Sequence, residues 1–206
     1  MIDSYLWKDT TVLKNKLNIK DQKQLDEAEA NYTVYRLKEL ALNPLKGEYD
    51  LKHLLQIHQY IFQDLYFWAG QIRNIQIYKE EDVLGGMSIE YTDPDNINSE
   101  IKDTLKQMVH KKWEEMDKQS IANEFCDSLA RLWKIHPFRE GNTRTTLTFC
   151  CQFADEKHLN ISRKLFERNS IYVRTALVAY NAFFKDGNNF SKKEYLKKIV
   201  FDSIGI

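Results

Sequence analysis

Residues 136–146 read HPFREGNTRTT, and the interpretation of the whole chain turns on them. A proline follows the histidine at once, Gly141 and Asn142 interrupt the pattern, and Thr143, Arg144, Thr145 and Thr146 lead into an apolar run. The spacing predicts a helix from about Asn142, carrying Leu147, Cys150 and Phe153. A helix N-terminus leaves free backbone N–H groups and carries positive macrodipole character. A glycine there lets backbone approach a ligand closely, so the arrangement is an anion site, and phosphate is the usual anion. Arg144, about one turn in, can grip a second phosphate with its guanidinium fork. Glu140 is a hard oxygen ligand suited to Mg²⁺ beside phosphates. A neutral His136 at the other lip of the loop can take a proton from an incoming hydroxyl. Phe138, flanked by polar residues, anchors the loop in the core. Together these residues read as a phosphoryl- or nucleotidyl-transfer loop.

Each residue alone has a plainer reading. A histidine before a proline serves as a helix C-cap, and a Gly-Asn pair makes a turn. Glu140 beside Arg139 or Arg144 makes a surface ion pair worth under ~1 kcal/mol. A zinc site is not expected, because no third His, Cys or Asp stands at ligand spacing from His136 and Glu140. The case for a transfer loop rests on the residues as a set.

Outward from the loop, the composition is that of a helical globular chain. Of its 206 residues 43% are apolar, enough for a sizeable core, and 7 Gly with 3 Pro leave few breakers for a many-turned β fold. The 30 Lys and Arg balance the 30 Asp and Glu, against a dedicated nucleic-acid binder. Three cysteines, Cys126, Cys150 and Cys151, make a poor disulfide framework. No apolar stretch approaches membrane-spanning length, and MIDSYLWKDTT is not a signal peptide. A reducing cytoplasm and no membrane are expected.

Asp21 is expected to cap a helix with Leu25, Ala28, Tyr32 and Tyr35 on one face, stopped by Asn43-Pro44. Asp50 caps a second, running to near Gly70. Alternation at Ile75-Gln76-Ile77 and Met87-Ser88-Ile89, with Gly85-Gly86 between, predicts one β-hairpin. Helical periods then return at Ile97–Met108, at Ile121–Trp133 running into His136, and at Tyr172–Tyr180. Ser191-Lys-Lys-Glu194 reads as a capping box for the last helix.

HPFREGNTR closely resembles the Fic signature HPFx(D/E)GN(G/K)Rxx(R): His136, Pro137, Phe138, Glu140, Gly141, Asn142 and Arg144 all match. IHQYIFQDLYFWAGQIRNIQI resembles that family's helix-then-flap segment and LDEAEANYTVYRL its first core helix, so the resemblance spans roughly residues 10–185. It implies an all-α core with one β-hairpin flap over the active site. As one domain over 1–206, it would comprise an N-terminal arm 1–20, a flap at about 72–92, the motif loop 136–144 and a C-terminal helix at about 191–203. It implies protein adenylyltransferase activity: AMP moves from ATP to a Ser, Thr or Tyr hydroxyl of a protein, with Mg²⁺, and pyrophosphate is released. His136 then resembles the base, Glu140 the Mg²⁺ ligand, Gly141, Asn142 and the Thr143 amide the α-phosphate hole, and Arg144 the β-phosphate clamp. The flap, with Ile77 and Lys79, would dock the target by strand addition, and Asn169 and Tyr172 would line adenine and ribose. Self-modification and a separate antitoxin are further expected partners.

Three departures accompany the match. Thr143 stands where AMP-transferring members usually have Gly and phosphate-transferring relatives have Lys. Leu147 stands where most active members have a second arginine. The inhibitory (S/T)xxxE(G/N) helix is absent, since Ser120 to Glu124 is followed by Phe125 inside the helix leading to His136. A second reading therefore stays open beside the enzyme: a non-catalytic nucleotide- or partner-binding module, or transfer of a different nucleotide or phosphate group.

Overall fold

A computed structural model describes residues 3–205; Met1 and Ile2 of the expected arm lie outside the described residues. Eight α-helices are formed among them: α1 (Gln22–Leu42), α2 (Leu51–Phe62), α3 (Ile97–Val109), α4 (Lys118–Ile135), α5 (Asn142–Glu156), α6 (Arg163–Arg168), α7 (Ser170–Tyr180) and α8 (Glu194–Ser203). The all-helical expectation holds. At the centre, α4 packs on α3, α5, α7 and α8, while α5 packs on α2 and α4. Both central helices are wrapped on most sides, and α5 buries Thr145, Thr146 and every residue from Thr148 to Ala154. One apolar cluster runs from Leu40 to Ile204.

Local chemistry sets the helix starts. The Asp21 and Asp50 side chains accept from the N–H of Gln24 and His53, as expected, and Asp117 caps α4 by accepting from Ser120 N–H at 2.7 Å. Four expectations need correction. First, α1 is rotated: Tyr32 and Tyr35 are exposed, and the inner face carries Glu29, Thr33, Arg36 and Leu40. Polar residues claim that face because each finds a partner there, as when Arg36 grips both Asp64 oxygens at 2.7 and 3.0 Å. Second, α2 ends at Phe62 rather than near Gly70. The buried spacing of α2 continues through Leu65 and Tyr66, but the N–H groups of both turn onto the Phe62 carbonyl and Lys16 takes the carbonyls of Gln63 and Leu65, so the chain leaves the helix there. Third, α8 opens at Glu194 without a side-chain cap, because Ser191 donates instead to Asn189 Oδ1 at 2.7 Å.

The fourth correction concerns the flap. Residues 72–92 leave the helical body and return, but among the described residues they contain no paired strand, only a 3₁₀ turn at Asp82–Leu84. Side chains replace the ladder: Ser88 Oγ accepts from Lys79 N–H at 3.1 Å, Tyr78 hydroxyl donates to the Gly86 carbonyl at 3.0 Å, and Gln76 donates to the Tyr91 carbonyl at 3.2 Å. The alternation of Ile75, Gln76 and Ile77 reports one-sided packing of an extended segment rather than pairing. Both ends of the flap are tied to the body by Arg73, described below.

Candidate active site

The loop between α4 and α5 starts with a strained residue. His136 ends α4 in the left-handed conformation, φ 51° and ψ 58°, with its N–H on the Trp133 carbonyl. That geometry costs a non-glycine residue roughly 1–2 kcal/mol and concentrates at functional positions. So the plain reading, a C-cap, describes the backbone of His136 and leaves its side chain free for another role. Its Nδ1 lies 3.2 Å from the same carbonyl and must donate, which leaves the lone pair on Nε2. Nε2 is buried and has no hydrogen-bond partner. Burial holds the imidazole pKa well below its ordinary value, and the Lys79 charge pushes it the same way. The ring is thus a neutral base with its acceptor nitrogen unused.

The rest of the loop is braced from inside. Asn142 accepts from Phe138 N–H and donates to its carbonyl, both at 2.8 Å. The fully buried Phe138 ring stacks on His58 at 3.7 Å, as its anchoring role requires. His58 Nδ1 accepts from Gly70 N–H at 2.8 Å, so Nε2 holds the proton and donates to the Glu140 carbonyl at 3.1 Å. Burial drives the His58 pKa down to about 3, keeping it neutral. Gly141 takes φ 82°, where a Cβ would sit 2.1 Å from Phe62 Cζ. Beyond it, α5 begins without a side-chain cap. The backbone N–H groups of Asn142, Thr143 and Arg144 have no acceptor among the described residues. That is the free first turn of an anion cradle. Thr143 narrows it as a β-branched residue, and its hydroxyl oxygen accepts from Trp133 Nε1 at 2.9 Å.

The charged residues form a chain. Lys79 Nζ lies 2.9 Å from Glu140 Oε2, and Glu140 Oε1 accepts from Gly141 N–H at 2.9 Å. Burial works against the carboxylate, but Lys79, the Gly141 amide and Arg144 outweigh it and hold the pKa at about 2. Arg144 stands 3.9 Å from Glu140 Oε1 and is gripped by Glu29 Oε1 of α1 at 2.5 Å and by Thr33 Oγ1 at 3.1 Å. Glu29 also receives the Tyr66 hydroxyl. The sequence expected Arg144 to face phosphates; here a carboxylate occupies its fork. A hard, ionised carboxylate already holding a cation suits Mg²⁺. Among the described residues no cluster of three metal-ligating side chains exists, so the metal would rely on Glu140, phosphate oxygens and water.

Arg73 is 1% exposed and serves the site differently from any phosphate clamp. Its Nε donates to the His136 carbonyl at 2.8 Å, one terminal nitrogen to the Ile75 carbonyl at 2.6 Å and the other to the Thr92 carbonyl. It joins the base to both ends of the flap. Tyr91 on the outgoing arm lies 4.0 Å from the His136 ring and covers it. Glu81 of the flap, 3% exposed, is held by both terminal nitrogens of Arg174 on α7 at 2.7 and 2.8 Å. On the incoming arm, Ile75–Lys79 line a cleft of about 260 Å³ with Asp3 and Arg139. The backbone N–H groups of Gln76, Ile77 and Tyr78 have no partner among the described residues. Lys79 is therefore brought into the site and Ile77 lies beside it.

Asn169 and Tyr172 are not brought to the loop by any hydrogen bond: Asn169 donates to the Leu165 carbonyl and the Tyr172 hydroxyl to the Tyr195 carbonyl on α8. Leu147 is half-buried and packs on the core. Sequence reasoning missed Glu29, His58, Tyr91, Trp133 and Arg174. A helical polar stripe at 29, 33 and 36 was the available signal for the first.

A model described as Fic/DOC family matches residues 48–154. Protein adenylyltransferase VbhT of Bartonella schoenbuchensis is 32% identical over 178 residues, covering 86% of this chain and 36% of that protein. A Sinorhizobium fredii protein named a probable protein adenylyltransferase is 34% identical over 149 residues, 71% of this chain and 72% of that one. The chain thus spans about a third of the length of the first relative and most of the second. Among solved structures, BepC of Bartonella tribocorum, with bound AMPPNP, superposes with a TM-score of 0.77 at 23% identity, over 97% of this chain and 95% of that one.

Proposed function

The chain belongs to the Fic/DOC family, and from that premise we propose that it is a protein adenylyltransferase, a nucleotidyltransferase that AMPylates a protein hydroxyl with ATP as donor. The observation that carries the reading is the buried, neutral His136 whose single free nitrogen adjoins an open helix N-terminus. In the reaction His136 Nε2 takes the proton of a Ser, Thr or Tyr hydroxyl, whose oxygen bonds to the α-phosphorus. The α–β bridging P–O bond breaks and pyrophosphate leaves. The N–H groups of Asn142, Thr143 and Arg144 receive the charge that builds on the α-phosphate, and the Arg144 fork receives the β-phosphate once Glu29 releases it. Glu140 would hold Mg²⁺, which neutralises phosphate charge when bound. Tyr91 must swing off His136 to admit the hydroxyl, and the unpaired N–H groups of Gln76–Tyr78 would take the target as an added strand. Asn169 and Tyr172 are kept as candidates for the nucleoside side.

The whole described chain would act as one Fic unit. Three buried, unpaired cysteines suit a reducing cytoplasm, and no described helix is long and apolar enough to cross a membrane. Self-modification and release by a separate antitoxin are consistent extensions. A second reading, a binding module without transfer, is favoured by one observation: the proposed metal ligand Glu140 and the proposed phosphate clamp Arg144 are already paired, with Lys79 and Glu29.

Incubation with labelled ATP, Mg²⁺ and a protein mixture tests both. Label on protein, lost by 10²–10⁴-fold in His136→Ala with ATP binding retained, is the expected result. Transfer within about tenfold of wild type in that variant would refute the base. Tight ATP binding with no label from wild type would establish the module.

A further inference from the structure

Trp133 sits on the last turn of α4, three residues before the base, and is fully buried. Its indole N–H donates to the Thr143 hydroxyl oxygen across the loop at 2.9 Å. Thr143 is the second residue of α5, and its own N–H belongs to the open cradle. A threonine in the first turn is a liability there, because its oxygen can fold back on its own or a neighbouring backbone N–H and so compete with an incoming anion. The indole limits that competition by holding the oxygen toward α4. Trp133 makes no other side-chain hydrogen bond, and a buried indole N–H needs one partner. The two residues therefore satisfy each other.

We propose that Trp133 is a positioning residue for the anion cradle: its indole tethers the Thr143 hydroxyl so that the first-turn N–H groups stay open to the donor's α-phosphate. The tether is what makes threonine workable at a position where glycine would have no side chain to restrain. The inference rests on the nucleotide-transfer reading for the identity of the anion, but the tether itself does not.

The test is a double-mutant cycle with Trp133→Phe, Thr143→Val and the pair, reading Mg-ATP affinity by calorimetry and stability by urea. Trp133→Phe frees the hydroxyl and should weaken Mg-ATP about tenfold, the worth of one competed hydrogen bond. In the Thr143→Val background there is no hydroxyl to free, so Trp133→Phe should leave affinity unchanged. A role in packing alone would weaken binding equally in both backgrounds, and that result, or no weakening in either, overturns the proposal. If Trp133→Phe does not fold, the Trp133 indole N–H resonance decides: Thr143→Val should shift it upfield and speed its exchange, and an unmoved resonance overturns the tether. Loss of label transfer in wild type with the affinity coupling intact would sink the adenylyltransferase reading alone. An absent coupling with transfer intact would sink this inference alone. No Mg-ATP binding by wild type at all would overturn both.

Discussion

Replacing Gly141 by alanine tests the geometry of the loop more directly than any catalytic substitution. Two separate costs follow from the structure. At φ 82° and ψ 9° the residue is left-handed, and a Cβ in that region costs roughly 1–2 kcal/mol. The same Cβ would fall 2.1 Å from Phe62 Cζ and 2.2 Å from Cε2. The Phe62 ring cannot retreat: it is fully buried, stacks on His58 at 4.7 Å and carries the Arg144 guanidinium 4.9 Å above it. Overpacking of that kind costs about 1–3 kcal/mol. The sum, about 2–5 kcal/mol, is a large part of a typical stability of ~5–15 kcal/mol. Urea unfolding followed by circular dichroism measures it. The partner variant is Phe62→Leu with Gly141→Ala, which relieves the clash but not the backbone strain. Relative to additivity it should recover roughly 1–3 kcal/mol, the overpacking share. A Gly141→Ala protein within ~0.5 kcal/mol of wild type, a change typical of featureless surface positions, would show that the loop does not hold this conformation against Phe62. Strict additivity in the double variant would show that the ring is not what the Cβ meets.

Two further outcomes are expected. Lys79→Met should lower the Mg²⁺ concentration that half-saturates nucleotide binding, because the ammonium 2.9 Å from Glu140 no longer competes for the carboxylate; an unchanged or higher requirement in a calorimetric Mg²⁺ titration refutes a shared cation seat. His58 and His136 are buried and pushed far below their ordinary pKa by burial, so they stay neutral in the fold while the unfolded chain takes up protons below pH ~6.5; burial lowers His53 as well. Stability should therefore fall as pH drops through 6.5 toward 5, with a slope approaching two protons or about 3 kcal/mol per pH unit, steepened by His53, and a urea midpoint that stays flat over that window refutes it.

The loop was legible in the sequence because its backbone conformation is set locally, even though several of its side chains meet distant partners. His136 caps its helix on Trp133 three residues back, Gly141 acts through its own left-handed φ, and Asn142 braces Phe138 four residues away. The aspartate caps of α1 and α2 were legible for the same reason. What escaped was set by distant partners. Glu29, Thr33 and Arg36 turn the inner face of α1 polar only because Arg144 and Asp64 await them, and an apolar periodicity cannot see that. The flap's alternation was real but ambiguous, since side chains such as Ser88 and Tyr78 replace the ladder that alternation usually signals. Arg73 escaped for the same reason, its side-chain nitrogens being spent on three carbonyls and Gln76.

The charged chain Glu29–Arg144–Glu140–Lys79 explains how a site proposed to take a polyanion and a metal is stable without them. Two carboxylates alternate with two cations, so the row carries no net formal charge. Each motif residue is paired with a group of the same sign as its proposed substrate partner: a carboxylate for phosphate on Arg144, an ammonium for Mg²⁺ on Glu140. Loading the site then exchanges like for like, and no buried charge has to wait unpaired, which is the costly alternative. The displaced groups are also provided for. Glu29 keeps the Tyr66 hydroxyl when Arg144 turns away, and Lys79 is carried on the flap, outside the helical body. Leu147 contributes no charge to this row, so an arginine there would stand as an unmatched cation, needing a further carboxylate that the row does not contain.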